Sequence, residues 1–270
     1  MKETTKIETV KTESFEMEYF RFGHGNKTMV ILPGLSVDGV MKYADAVADA
    51  YKSMTDDFTI YLFERRKNLP IHYSMEDMAI DTASAIKELS LNHVYLFGAS
   101  QGGMISMLIA LNEPELVEKM VLGSTAACVS SGQFEKTIGE WIGFAKEGKR
   151  EDLYLSFGKA VYPKEVFETS QETLKTIAGT LTNEDFSRFV ILASSVRGFD
   201  ITNRLNRITC PVLVLGSTDD NVLGGDSSKE LYESFKTHDG CELYLYDTYG
   251  HAAYDLAPDY KERMLRFFNA

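Results

Sequence analysis

The stretch Val94-Tyr95-Leu96-Phe97-Gly98-Ala99-Ser100-Gln101-Gly102-Gly103 decides the reading of this chain. A short apolar run ends in Gly-x-Ser-x-Gly, and the residues that follow, Gln101–Asn112, have the length and continuous hydrophobicity of a buried helix. A serine between a strand and a helix in this way sits on a sharp, strained turn that projects its hydroxyl. The glycines at 98 and 102 leave the backbone room to fold back on itself. The helix that follows aims its N-terminal amides and positive dipole end at the same place. Three fixed residues alone are also compatible with a turn in which Ser100 is an ordinary N-cap. The strand before, the helix after and the additional Gly103 favour the strained turn.

Outward from that turn the chain repeats one rhythm. Apolar runs at Met29–Leu32, Phe58–Phe63, Lys119–Leu122, Val212–Leu215 and Glu242–Tyr246 read as buried parallel strands. Amphipathic segments at Val40–Met54, Met75–Leu89, Ser227–Phe235 and Asp259–Phe268 read as the helices covering them. Ser14–Phe22 alternates and is expected as an antiparallel edge strand or hairpin. Between about Val129 and Arg207 the rhythm stops: helical patterns recur without a strand, broken at Gly148, Pro163 and the stretch from Gly179 to Asn183. This is more chain than a single crossover needs. The expectation is a helical cap at 129–207 inserted into a core formed by 1–128 and 208–270.

A serine becomes a nucleophile when a histidine takes its proton, and a carboxylate must hold the other imidazole nitrogen. The histidine in Tyr249-Gly250-His251 follows the last strand and is the candidate base. His24, His72, His93 and His238 lie in polar turns or beside strand ends and read as surface or capping residues. The strand Pro211–Gly216 leads into Ser217-Thr218-Asp219-Asp220-Asn221-Val222, which offers two carboxylates. Asp220 is the preferred acid and Asp219 the loop-capping one, with the alternative assignment open. Ser100, Asp220 and His251 thus run in the order nucleophile, acid, base.

That order, the strand-turn-helix around Ser100 and the insertion between two strands resemble the α/β-hydrolase superfamily from about Phe20 to the C-terminus. Asp220-Asn221-Val222-Leu223-Gly224 is similar to the superfamily's Asp-x-Val-x-Pro around the acid, with glycine in place of proline. The resemblance implies a mostly parallel eight-stranded sheet with helices on both faces and a helical cap. It also implies an oxyanion hole with two backbone amides, from Gln101 and from the loop after the strand Met29–Leu32. There Pro33-Gly34-Leu35 replaces the superfamily's His-Gly, which makes Leu35 the second donor and brings Gly34 against the substrate. Trp141 and Phe144 are candidate substrate-binding residues of the cap, among aromatic positions that also include Tyr154, Phe157 and Phe189. Glu64-Arg65-Arg66-Lys67 reads as a solvated charge run, with binding of an acidic substrate group as the alternative.

Composition narrows the rest. The formal net charge of −12 argues against sequence-independent nucleic-acid binding. No apolar run has the length of a membrane span or of a signal-peptide core, so a cytoplasmic protein is expected. Cys128, Cys210 and Cys241 are widely spaced and read as small buried hydrophobes. Cysteine and histidine spacings match no metal site, and no phosphate-binding glycine loop occurs, so neither metal nor cofactor is expected. The expectation is a monomer or homodimer that hydrolyses a small or medium carboxylic ester through an acyl-enzyme. Thioesterase, lactonase, aminopeptidase and carbon–carbon bond hydrolase are the rivals on the same machinery, and a non-catalytic ligand-binding member of the fold is the rival of another kind.

Overall fold

The computed structural model describes residues 4–129, 132–235 and 240–270. Its frame is an eight-stranded sheet in the order β1-β2-β4-β3-β5-β6-β7-β8. The strands are β1 (Ile7–Lys11), β2 (Glu16–Gly23), β3 (Lys27–Leu32), β4 (Phe58–Arg66), β5 (Val94–Ala99), β6 (Val117–Gly123), β7 (Val212–Ser217) and β8 (Glu242–Tyr246). β1 and β2 form an antiparallel hairpin that pairs antiparallel with β4, and from β4 to β8 all pairing is parallel.

The alternation of side chains along a strand builds two apolar cores from the same runs. Val30, Leu32, Leu96, Met120, Leu122, Val212 and Val214 face one side, and helices α2 (Met75–Glu88), α3 (Gln101–Asn112) and α8 (Ser227–Glu233) cover them. Met29, Ile31, Phe97, Val121, Leu213 and Leu215 face the other, under α1 (Ala44–Ala50) and α10 (Tyr260–Asn269). Burial on both faces explains why these strands read as unbroken apolar runs. The chain therefore has the α/β-hydrolase fold.

Between β6 and β7 lie four helices, α4 (Gly132–Lys146), α5 (Arg150–Val161), α6 (Lys164–Ala178) and α7 (Asn183–Ser195). The N-terminus of α7 is fixed by a reciprocal capping box, Thr182 with Asp185. The inner faces of these helices, including Phe134, Ile138, Trp141, Leu153 and Phe189, join the apolar cluster of the α2–α3 face. The segment leaves and rejoins the sheet at one point. Val129 N–H donates to Phe199 O and Ile201 N–H to Ala127 O, around an antiparallel bridge between Cys128 and Asp200. Among the described residues no helix is long and apolar enough to cross a membrane.

Two features depart from the sequence reading. The edge of the sheet is β1, upstream of the segment Ser14–Phe22 expected there; that segment supplies β2, the second strand in. β4 runs on through Glu64 and Arg65 to Arg66, so the charge run is strand, not loop. In it Arg65 is 3% exposed, on the same face as Phe63 two residues earlier. Of its neighbours, Glu64 and Arg66 are largely covered and pair with Arg188 and Asp81, and Lys67 is a surface charge that reaches Glu16 and Glu18. His238 lies outside the described residues.

Candidate active site

The turn after β5 has the strain that the glycine spacing foretells. Ser100 sits at φ 50°, ψ −117°, in the positive-φ region that a side chain rarely occupies. Steric exclusion explains both flanking glycines. A Cβ on Gly98 would lie 2.4 Å from the Gly102 carbonyl oxygen, and one on Gly102 would lie 1.9 Å from that of Leu32. The serine is held from behind by neighbouring strands: its N–H donates to Gly123 O (2.8 Å) and its carbonyl accepts from the Thr125 hydroxyl (2.7 Å).

The candidate acid and base come from the loops after β7 and β8. Asp220 and His251 are 5% and 3% exposed, and Nδ1 of His251 lies 2.8 Å from Oδ2 of Asp220. The other carboxylate oxygen accepts from the Val222 and Leu223 amides (2.8 and 3.0 Å). Burial acts to raise the Asp220 pKa, but the neighbouring His251, its hydrogen bond and those two amides outweigh it, so the carboxyl sits below the usual carboxylate range. With Nδ1 donating to an ionised carboxylate, Nε2 is left as the proton acceptor. Gly224, which stands where the superfamily pattern has proline, adopts φ +99°, and proline cannot adopt that angle. Asp219 serves a different purpose. Its Oδ1 accepts from the Ser217 hydroxyl (2.6 Å) and from the Gly250 amide (3.0 Å), tying the acid loop to the base loop without touching the imidazole.

Ser100 and His251 line one cavity of about 410 Å³, together with Gly34, Leu35 and Gln101. A Cβ on Gly34 would lie 3.3 Å from Ser100 Cβ and 3.9 Å from its hydroxyl oxygen, so the loop after β3 abuts the nucleophile. Gln101 is the first residue of α3, where an amide has no partner within the helix. From the insertion, Trp141, Tyr154 and Phe157 reach the cavity wall, with the Trp141 and Phe157 rings 4.8 Å apart. Phe144 does not reach it. It lies three residues beyond Trp141 on α4, half-buried beneath the Lys149 ammonium, 5.9 Å away, because α4 turns that position off the inner face. Phe189 is core.

Two groups escaped the sequence reading. Asp38, in the loop after β3, is buried in the cavity wall and accepts from the hydroxyls of Tyr43 (2.9 Å) and Tyr154 (2.6 Å). Burial, then Asp38 itself, pushes the Tyr43 phenol up to about 12. Arg65 places Nη2 2.8 Å from Pro33 O and 3.2 Å from Gln101 Oε1. The period of two in β4, continued past Phe63, is the signal that turns Arg65 inward.

Comparisons with known proteins bear on the family and the fold. The family model described as serine aminopeptidase, S33 matches residues 70–255. "Putative carbamate hydrolase RutD" of Rhizobium rhizogenes is 27% identical over 258 residues, covering 90% of this chain and 93% of that protein. Among solved structures, MGS-M2, an α/β-hydrolase enzyme from a Medee basin deep-sea metagenome library, superposes with a TM-score of 0.85 at 19% identity. The match covers 97% of this chain and 98% of that one. The esterase EaEST of Exiguobacterium antarcticum gives 0.80 at 19% identity, covering 98% and 99%. The strained serine turn, the buried imidazole–carboxylate pair and the family model together place this chain in the serine aminopeptidase S33 family of α/β-hydrolases.

Proposed function

We propose that the protein is a serine hydrolase that cleaves a small or medium carboxylic ester, with Ser100 as nucleophile, His251 as base and Asp220 as the acid that orients it. The observation that carries this reading is the convergence on one cavity of a serine at positive φ and a buried histidine whose Nδ1 is held by a carboxylate.

His251 Nε2 takes the Ser100 proton as Oγ bonds to the carbonyl carbon, and the carbonyl electron pair moves onto oxygen. The amides of Gln101 and Leu35 receive that oxyanion. The tetrahedral species collapses, the C–O bond to the leaving group breaks, and the leaving oxygen takes the proton from His251. Water, deprotonated in its turn by His251, then releases the acid and restores Ser100.

The four insertion helices act in this reading as a cap over the site. A cavity of about 410 Å³ walled by Trp141, Phe157, Ile138 and Val196 suits an apolar acyl group of limited length rather than a polymer. A carbamate is the second reading, favoured by the name borne by the curated relative. An aminopeptidase remains a rival on the same machinery.

The test is hydrolysis of p-nitrophenyl esters of increasing acyl length by the wild type and Ser100→Ala, with fluorophosphonate labelling of both. Turnover and labelling that vanish in Ser100→Ala support the reading. A wild type that neither turns over nor labels refutes it in favour of a binding protein.

A further inference from the structure

Arg65 is a buried cation without the partner that buried cations ordinarily have. Its guanidinium forms no ion pair with a carboxylate among the described residues, and its Nε is enclosed with no hydrogen-bond partner. A buried charge in that condition lowers stability, and apolar residues at such a position are often the more stable choice.

What Arg65 does contact is specific. A single nitrogen, Nη2, bridges the Pro33 carbonyl and the Gln101 side-chain oxygen. Pro33 lies two residues before Leu35, and Gln101 directly follows Ser100. The bridge therefore joins the two backbone segments whose amides receive the oxyanion in the reading above. It also continues outward: Gln101 Nε2 donates to the Leu192 carbonyl (2.9 Å) on α7, and Arg188 of α7 donates to the carbonyls of Arg65 (3.1 Å) and Arg66 (3.0 Å). β4, the serine turn and the insertion are thus fastened at one place.

We infer that Arg65 is a positioning residue for the oxyanion hole, setting the spacing of the Leu35 and Gln101 amides through its two-acceptor bridge. This rests on the serine-hydrolase reading. A displacement of about 1 Å in such a constellation costs ~10²-fold in rate, so losing the bridge slows the chemical step while leaving the acyl pocket intact.

The experiment compares the wild type with Arg65→Met and Arg65→Lys, measuring kcat and KM for a p-nitrophenyl ester, thermal unfolding, and inhibition by phenylboronic acid. The boronic acid forms a tetrahedral adduct on the serine and so reports on the oxyanion hole directly. In Arg65→Met, kcat falls roughly tenfold to a hundredfold with KM within about twofold, and the boronic acid Ki rises by a comparable factor. Arg65→Lys recovers part of the loss, since one ammonium keeps the charge but not the planar fork.

A folded Arg65→Met with wild-type kcat and boronic acid affinity overturns the inference. So does a fall in kcat that only tracks the loss of folded protein, with boronic acid affinity unchanged. If Arg65→Met does not fold, Arg65→Lys decides: wild-type kcat and Ki in that variant overturn the bridge. A wild type that neither turns over nor labels overturns the hydrolase reading as well, whereas normal turnover in both Arg65 variants overturns this inference alone.

Discussion

The Tyr154 hydroxyl, on the second insertion helix, donates at 2.6 Å to the buried carboxylate of Asp38, 116 residues earlier in the chain. The bond ties α5 to the loop that follows β3 and lies against Ser100. Tyr154→Phe removes a donor to a buried charge, which costs about 1.5–3 kcal/mol. The expected result is a melting temperature lower by several degrees. Tyr43→Phe, at the half-exposed hydroxyl on the other oxygen of Asp38, lowers it less. Thermal unfolding by circular dichroism ranks the two, and the reverse order would contradict the burial argument.

The two neighbouring carboxylates separate by function. Asp220→Asn removes the charge that holds Nδ1 of His251, and loss of such an acid lowers kcat by roughly 10⁴. Asp219→Asn keeps an oxygen that still accepts from the Gly250 amide, so the effect stays below about tenfold. Steady-state kinetics of both variants on one ester decide the assignment, and equal losses would refute it.

Acid sensitivity follows from the depressed Asp220 pKa. A carboxyl held lower in the folded state than its unfolded value of about 3.9 contributes stability that is fully present above that value. The contribution is lost as pH falls through the lower folded pKa. Urea unfolding at pH 7 therefore separates the wild type from Asp220→Asn, and the gap narrows below about pH 4. A gap that widens in acid would show the sign to be wrong.

Two glycines of this chain differ sharply in what an added Cβ would meet. Gly102→Ala forces a methyl to 1.9 Å from the Leu32 carbonyl oxygen, a strain of about 4 kcal/mol or more that prevents folding or displaces the serine turn. Gly143, inside α4, has nothing within 4 Å of an added Cβ. Gly143→Ala is expected to stabilise by about 0.5–1 kcal/mol through helix propensity. Denaturant midpoints of the two variants check the contrast.

Legibility in the sequence followed the range of the interactions. The strands carrying both cores announced themselves as apolar runs, and the serine turn as glycine spacing, because both are local necessities. Asp220 was legible as the preferred of two adjacent carboxylates through its likeness to Asp-x-Val-x-Pro, and the fold adds that its Oδ2 is the oxygen that meets Nδ1. Arg65 was hidden because a run of four charges, from Glu64 to Lys67, suggests solvent. Its inward direction depends on β4 continuing past Phe63, and its contacts, with Pro33 and Gln101, are distant in sequence. Phe144 was hard to place for a related reason: aromatic residues at 141 and 144 share a helix, yet only the packing of α4 against α5 and α7 puts Trp141 in the cavity wall and Phe144 under Lys149.

The isolated bridge between Cys128 and Asp200, outside the strands of the sheet, brings the two ends of the insertion together. β6 and β7 pair directly with each other, so no helix of the insertion takes part in the ladder of the sheet. Exchange within those helices is nonetheless limited by their ties to the frame: Tyr154 to Asp38, Arg188 to β4 and the Leu192 carbonyl to Gln101 beside Ser100. A set of helices grafted from a relative would therefore have to bring these three anchors with it, since they are what joins the wall of the cavity to its floor.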